Sequence, residues 1–254
     1  NEFVNTWSVE GLYEEGVAPA ELGWGTHEKK LPPLAYEHQL GPKNQIAIAQ
    51  PGAKTWVRSW VPDMEITGMV IRHGEAFTIP DHLTVWDGEK AVYRPTVHYA
   101  YCPTDAAIAS LRELEHRNWD LTENQRIMND EIIDGNDRLG VLLMGHPYKS
   151  WWTGSLLSIH DSRKLIPNQS ATTVQVASAV FAAVAWAVKN PDKGLLVPDD
   201  MPWREVLAYA EKYWGGFHSA PADWTPIDNR TDFFEGWNGK EYDSDPWQFS
   251  NFLV

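Results

Sequence analysis

The sequence predicts an α+β fold, a largely antiparallel or mixed sheet with helices on one side, and three observations carry that prediction. Between residues 46 and 102, short runs rich in β-branched and aromatic residues alternate with turn residues, as strands and their connections do. The pair Asp87-Gly88 lies between two of these runs and is a strong local hairpin signal. Capped helical patterns then follow, ending in a long Ala- and Val-rich stretch over 170–189.

Taken in order, residues 5–28 read as a shaped loop, because Gly11, Gly16, Gly23, Gly25 and Pro19 break them into short turns. Residues 29–44, with Pro32, Pro33, Gly41 and Pro42, read as an irregular connection. Strands are expected over 46–50, 56–61, 68–73, 77–79, 83–86, 91–93 and 97–102, joined as one tryptophan-rich meander. Thr104 caps a helix with Ile108, Leu111 and Leu114 toward the core. Thr122 and Gln125 fit a capping box for a short helix to about 129. Strands over 139–144 and 151–159 flank the turn GHPYKS. The stretch 170–189 is apolar on nearly every face, so it is a helix buried all round or docked on another domain. Gln175, Ser178 and its length argue against a membrane span. A last helix is expected over 202–214, before a tail that carries Trp224, Trp237 and Trp247 among seven acids and two bases. Two parts are expected: an α+β domain over 1–165, and the long helix with its tail over 166–254.

The 254 residues carry 35 acids against 21 bases, a net charge of −14. No basic footprint for nucleic acid is visible, and such a field concentrates cations instead. The single cysteine, Cys102, excludes an internal disulfide framework and points to a reducing, cytoplasmic setting; its place in the run YAYCP predicts a buried thiol. No signal peptide opens the chain, and no membrane partner is expected. Fourteen tryptophans are unusual for this length. The opening NEFVNTW, without Met, points to the C-terminal part of a longer polypeptide.

The opening stretch carries the chemistry. Residues 5–28 hold Glu10, Glu14, Glu15, Glu21 and Glu28, Trp7, Trp24 and His27, with no Lys or Arg. Carboxylates attract organic cations, and an indole face attracts them again; a solvated acidic loop with two core tryptophans is the plainer alternative. His73 and Glu75, spaced as H-x-E, would share one side of a strand and line a pocket. Metal binding is not predicted, since the nine histidines are scattered singly. Asp134-Gly-Asn-Asp137 fails the calcium-loop pattern and reads as a capped turn. Tryptophans with paired carboxylates also describe glycoside hydrolases. Neither G-x-S-x-G, G-x-G-x-x-G nor G-x-x-x-x-G-K occurs, so hydrolytic-serine and nucleotide motifs are missing.

Five stretches, NTWSVEGLYEEG, PAELGWGTHEK, RPTVHYAYCP, DEIIDGNDRLGVLLMGH and SATTVQVASAV, resemble the bacterial homospermidine synthases of the wider saccharopine dehydrogenase-like group. The resemblance covers residues 1 to about 248 and matches the second part of such enzymes, the substrate and oligomerisation domain. It implies an upstream Rossmann domain that holds most of the NAD site, putrescine or related diamines as substrates, and a homodimer. The implied reaction is NAD-dependent aminobutyl transfer from one putrescine to another through imines, with ammonia released and no net redox. On that resemblance Trp7 stacks on the substrate cation and Glu15 lies beside it as the second catalytic residue. His73, Glu75 and Glu14 belong to the substrate pocket, and Asp134 or Asp137 binds the distal ammonium. Gly74 departs from the polar residue expected in RHGEAFTI. A carboxynorspermidine- or saccharopine-type dehydrogenase, and a non-catalytic amine-binding module, are the alternatives. The former needs an Arg or Lys in the pocket, and the opening stretch offers none.

Overall fold

The computed structural model describes residues 2–41, 43–123, 126–230, 233–234, 237 and 241–254. Helices and antiparallel sheets are mixed, as the composition of the runs predicted, and no barrel closes. The chain divides into two compact units of interleaved segments. An acidic unit comprises Glu10–Pro103, Met144–Ser150 and Ala222–Val254; a long-helix unit comprises Asn1–Val9, Thr104–Leu143 and Trp151–Pro221.

The acidic unit opens with helix α1 (Val9–Val17), where a loop was expected. Leu12 and Gly16, four residues apart, are its buried face, so here glycine serves close packing rather than a turn. Strands β1 (Pro19–Gly23) and β2 (Ala35–Glu37), neither foreseen, flank β3 (Gln45–Pro51) in a three-stranded sheet, β1-β3-β2. Both pairs are antiparallel, with Leu22 opposite Ile46 and Ala35 opposite Ile48. A separate hairpin pairs β4 (Trp56–Val61) with β5 (Met64–Met69), Val57 opposite Gly68. The expected strand at 77–79 is instead helix α2 (Glu75–His82), which packs on β1. Ala76 and Pro80 are its buried residues, and burial against the sheet decides the state of so short a segment, overriding the β preference of Phe77 and Ile79. Strands β6 (Val85–Asp87) and β7 (Lys90–Tyr93) form the hairpin that Asp87-Gly88 predicts, with Gly88 at φ +60. These pairs are separate sheets, so one continuous meander over 46–102 is not what the chain builds.

The last expected strand, over 97–102, is an extended strap held at two isolated bridges. Val97 exchanges hydrogen bonds with Gly23 (2.9 and 3.1 Å) and Tyr101 with Met69 (2.7 and 2.9 Å). Cys102, expected inside, is exposed. The tail closes this unit: Trp224, Phe249 and Phe252 are buried, and Leu253 bridges Val57. Arg58 donates to the Pro226 and Asp228 carbonyls (2.6 and 2.8 Å) and pairs with Glu65. Phe233 and Trp237 are exposed.

In the long-helix unit Thr104 caps α3 (Asp105–His116), accepting from the Ala107 amide at 3.4 Å. Ala107, Leu111 and Leu114 form its buried stripe. Gln125 of the expected capping box lies outside the described residues, and residues 126–129 are not helical. Strands β8 (Asn136–His146) and β9 (Lys149–Ser158) lie beside each other, their turn-proximal residues 144–150 belonging to the acidic unit. A short helix α4 (Ile159–Leu165) leads to α5 (Ala171–Lys189), capped by Ser170. Ala171 and Val174 pack with Leu157, and Gln175 donates to Ser155 at 2.7 Å.

Helix α5 is long and apolar enough to cross a bilayer by length and composition alone, against the expectation drawn from Gln175 and Ser178. Both polar residues are buried within their own unit. Helix α6 (Trp203–Ala210) packs on it: Trp186 donates to Glu205, and beyond α6 Trp214 donates to Ser178, both at 2.8 Å. Nor is α5 buried all round, because Val180, Phe181, Val184 and Val188 are exposed. Strand β10 (Phe217–Ala222), also unforeseen, pairs with β9.

A side chain at Gly68 would meet the Ala100 carbonyl carbon at 2.7 Å, so glycine there lets the strap pass β5, whereas Gly74 faces open space. Gly68→Val is expected to cost about 1–3 kcal/mol in urea unfolding of the full-length protein, against a change of about 0.5 kcal/mol or less for Gly74→Ala. Equal effects would contradict the close crossing.

Candidate active site

The acidic unit brings Glu15, His73 and Glu75 together. Glu15 lies in the last turn of α1, half-buried. Gly52, whose amide donates to the Ala18 carbonyl at 2.9 Å, supports that end of the helix. His73 stands in the turn before α2 and Glu75 is the first residue of α2, where the helix dipole favours a carboxylate. His73 Nδ1 bonds the Glu75 carboxylate. The residues were expected to pair across one side of a strand; they do pair, but across a turn into a helix. Glu14 is exposed beside Glu15, and its charge reaches it.

The electrostatics are those of a histidine set among carboxylates, which favour its charged form. The bond to Glu75 holds the His73 pKa above its ordinary value, and the same bond holds Glu75 below its own. Glu15 is pushed up, mainly because burial strips it of water; His73 lowers it, while Glu75 and Glu14 raise it further. Among the described residues no hydrogen bond or ion pair neutralises Glu15. A half-hydrated carboxylate of this kind favours any cation that can replace its lost water.

Two other acids of the opening stretch, Glu21 and Glu28, are committed elsewhere, by partners distant in sequence. Glu21 pairs with Arg72 at 3.3 Å. Glu28 has a side chain only 1% exposed, accepts from the Thr96 hydroxyl (2.6 Å) and from the Phe249 amide (3.0 Å), and is pushed up by burial. It fastens the tail to the strap. Trp24 meets Phe249 edge-on at 6.1 Å and belongs to this packing.

Tyr99 was not foreseen. Its ring lies over His73, centroids 4.8 Å apart and planes 31° from parallel. RPTVHYAYCP contained it, but nothing in the spacing distinguishes a tyrosine under a histidine from a core strand aromatic. On the same strap His98 meets Phe249 and Phe252 edge-on, each at 5.3 Å, and loss of hydration pulls its pKa down to about 4.

Trp7, Asp134 and Asp137 belong to the long-helix unit. Trp7 lies within a tight turn in which the buried Asn5 accepts from the Thr6 amide (2.9 Å) and donates to the Ser8 carbonyl (3.0 Å); Trp7 itself stays 43% exposed. Asp134 is 85% exposed, pairs with His160 at 3.4 Å and accepts from the Gly135 amide at 2.8 Å. Asp137 differs. Burial raises its pKa, the Thr172 hydroxyl donates to it, and its buried Oδ2 has no hydrogen-bond partner.

A family model, the saccharopine dehydrogenase C-terminal domain, matches residues 1–217. The chain belongs to that family. Homospermidine synthase of Blastochloris viridis is 46% identical over 255 residues, 99% of this chain and 53% of the relative. That of Mesorhizobium japonicum is 45% identical over 256 residues, 99% of this chain and 52% of the relative. The crystal structure of the homospermidine synthase from Legionella pneumophila in complex with NAD aligns with a TM-score of 0.94 at 42% identity, covering 100% of this chain and 55% of that one. The chain thus spans about half the length of the curated relatives it matches. Among the described residues β1–β3, β2–β3, β4–β5 and β6–β7 are antiparallel pairs, unlike the parallel strand ends at which a Rossmann domain binds a dinucleotide.

The His73–Glu75 pair is partly exposed, so it is worth about 0–1 kcal/mol. Its histidine share is present below the ordinary imidazole pKa and lost as pH rises through the raised one. Its glutamate share is present above the ordinary carboxylate pKa and lost as pH falls through the lowered one. Both shares are therefore fully present together between the ordinary carboxylate and the ordinary imidazole values, in mildly acidic solution, and the histidine share fades as pH rises beyond them. By histidine NMR of the full-length protein, His73 is expected to titrate above the ordinary range and Glu75→Gln to bring it down. A titration unmoved by that change would contradict the pairing.

Proposed function

We propose that this chain is the substrate-binding part of a homospermidine synthase, which converts two putrescines into homospermidine and ammonia with no net oxidation. The observation that carries this reading is Glu15, a half-buried, un-neutralised carboxylate beside the His73–Glu75 pair, in a chain 45–46% identical to homospermidine synthases. NAD, held mainly by an upstream Rossmann domain of the same polypeptide, would accept and return a hydride. The enzyme would act in the cytoplasm as a homodimer.

The tasks left to this chain follow from the substrate's charges. Putrescine carries an ammonium at each end, and one amine must be neutral before a hydride leaves its carbon. Glu15, whose burial raises its affinity for a proton, would bind that end and take its proton. Glu14 and Glu75 add negative potential that holds the approaching dication. Trp7 offers an exposed indole face for the cation and for the iminium that follows it. Of the two distal candidates we assign Asp137, because a buried carboxylate oxygen with no partner calls for an ammonium, whereas Asp134 is solvated and paired. Helix α5 and the Trp-rich tail would face the upstream domain, which would cover the apolar side chains α5 exposes.

The direct test is mass spectrometry of the full-length gene product with putrescine and NAD. Homospermidine without accumulating NADH is expected. NADH accumulating with a carboxylated amine would favour a dehydrogenase, and amine binding without turnover would favour a binding module. Glu15→Gln is expected to weaken putrescine use roughly 10- to 100-fold, the usual worth of a hydrogen bond to a charge, and to leave NAD binding intact. Trp7→Ala is expected to lower turnover strongly in a folded protein. Normal turnover would remove Trp7 from the mechanism.

A further inference from the structure

We propose that Tyr99 is a positioning residue of this site: its ring sets the plane of the His73 imidazole and thereby holds Glu75 in place beside Glu15. The proposal rests on the reading of this cluster as the amine site.

The strap makes Tyr99 a fixed platform. Two residues before it, Val97 is hydrogen-bonded both ways to Gly23 on β1; two residues after it, Tyr101 is bonded both ways to Met69 on β5. Successive side chains of an extended segment point to opposite sides. His98 is taken up by Phe249 and Phe252 on one side, so Tyr99 is directed to the other, where it meets His73. Neither bridge can slip by one residue without exchanging those two rings.

His73 has no comparable backing of its own. It precedes Gly74, around which there is open space, and its side chain is about one third exposed. Glu75 fixes one ring nitrogen, and Tyr99 fixes the ring plane. An aromatic face under an imidazolium also favours the charged ring. Without that face the imidazole can turn away from Glu75, and Glu75, on the first turn of α2, loses the bond that orients it. Glu15 would then face a mobile charge pair rather than a fixed one.

The test uses the full-length enzyme carrying Tyr99→Phe and Tyr99→Leu, with the His73 NMR signal assigned by its loss in His73→Gln. Tyr99→Phe keeps the ring and is expected to leave the His73 titration in place and KM for putrescine within about twofold. Tyr99→Leu is expected to lower the His73 pKa and raise KM for putrescine about tenfold, as misplaced binding groups do, with KM for NAD unchanged. Unchanged His73 titration and KM in Tyr99→Leu would overturn the proposal. So would a Tyr99→Phe protein as impaired as Tyr99→Leu, since the role would then lie in the hydroxyl. Should Tyr99→Leu fail to fold, Tyr99→Met, a flexible chain of similar reach, is read the same way. A wild-type protein that makes no homospermidine would sink the functional reading, yet the His73 titration in the variants would still decide the role of Tyr99.

Discussion

Two backbone bridges, at Val97 and at Tyr101, hold the acidic unit together around its site. They tie the β1-β3-β2 sheet to the β4–β5 hairpin, two sheets that share no strand. The hairpin ends in Met69, four residues before His73, and the three-stranded sheet supports α2 through β1. A side chain at Gly23 would collide with Pro80 and Ala76 of α2, so that bridge and that helix need the same glycine. Glu28 completes the arrangement: its buried carboxylate joins Thr96 of the strap to Phe249 of the tail. A structural carboxylate thus secures the frame in which Glu15, the carboxylate proposed to meet the substrate, is presented.

The division of labour among the acids follows from their partners. Glu21 acquires an ion pair from a residue 51 positions away, and Glu28 acquires hydrogen bonds from residues 68 positions away or farther. Glu15 acquires none, although burial has taken part of its hydration. An acid in that state is costly to a fold that gains nothing from it, and a ligand cation relieves the cost. His73 nearby relieves it only in part.

Much of this was legible in the residues, and the misses share one cause. The Asp87-Gly88 hairpin, the Thr104 cap and the long helix over 170–189 are local features, and the sequence pattern located them. Helix α1 was hidden because Gly11 and Gly16 look like turn residues until Leu12 and Gly16 are seen to pack. Helix α2 was hidden because eight residues with Phe77, Ile79 and Pro80 resemble a strand end, and only docking on β1 makes them helical. Single-sequence patterns do not contain such tertiary terms. The site shows the same limit. His73 and Glu75 were paired by spacing that happens to survive a change of element, whereas Glu28, counted with the opening acids, proved to be structural. Tyr99 became visible only through the strap that carries it over His73.

The central claim is that Glu15 awaits an organic cation. A crystal structure of the full-length protein with putrescine and NAD tests it most directly. The account predicts one putrescine nitrogen within hydrogen-bond distance of the Glu15 carboxylate, with His73 still bonded to Glu75. Putrescine ordered elsewhere, with Glu15 left to solvent or bound to a protein cation, would contradict it.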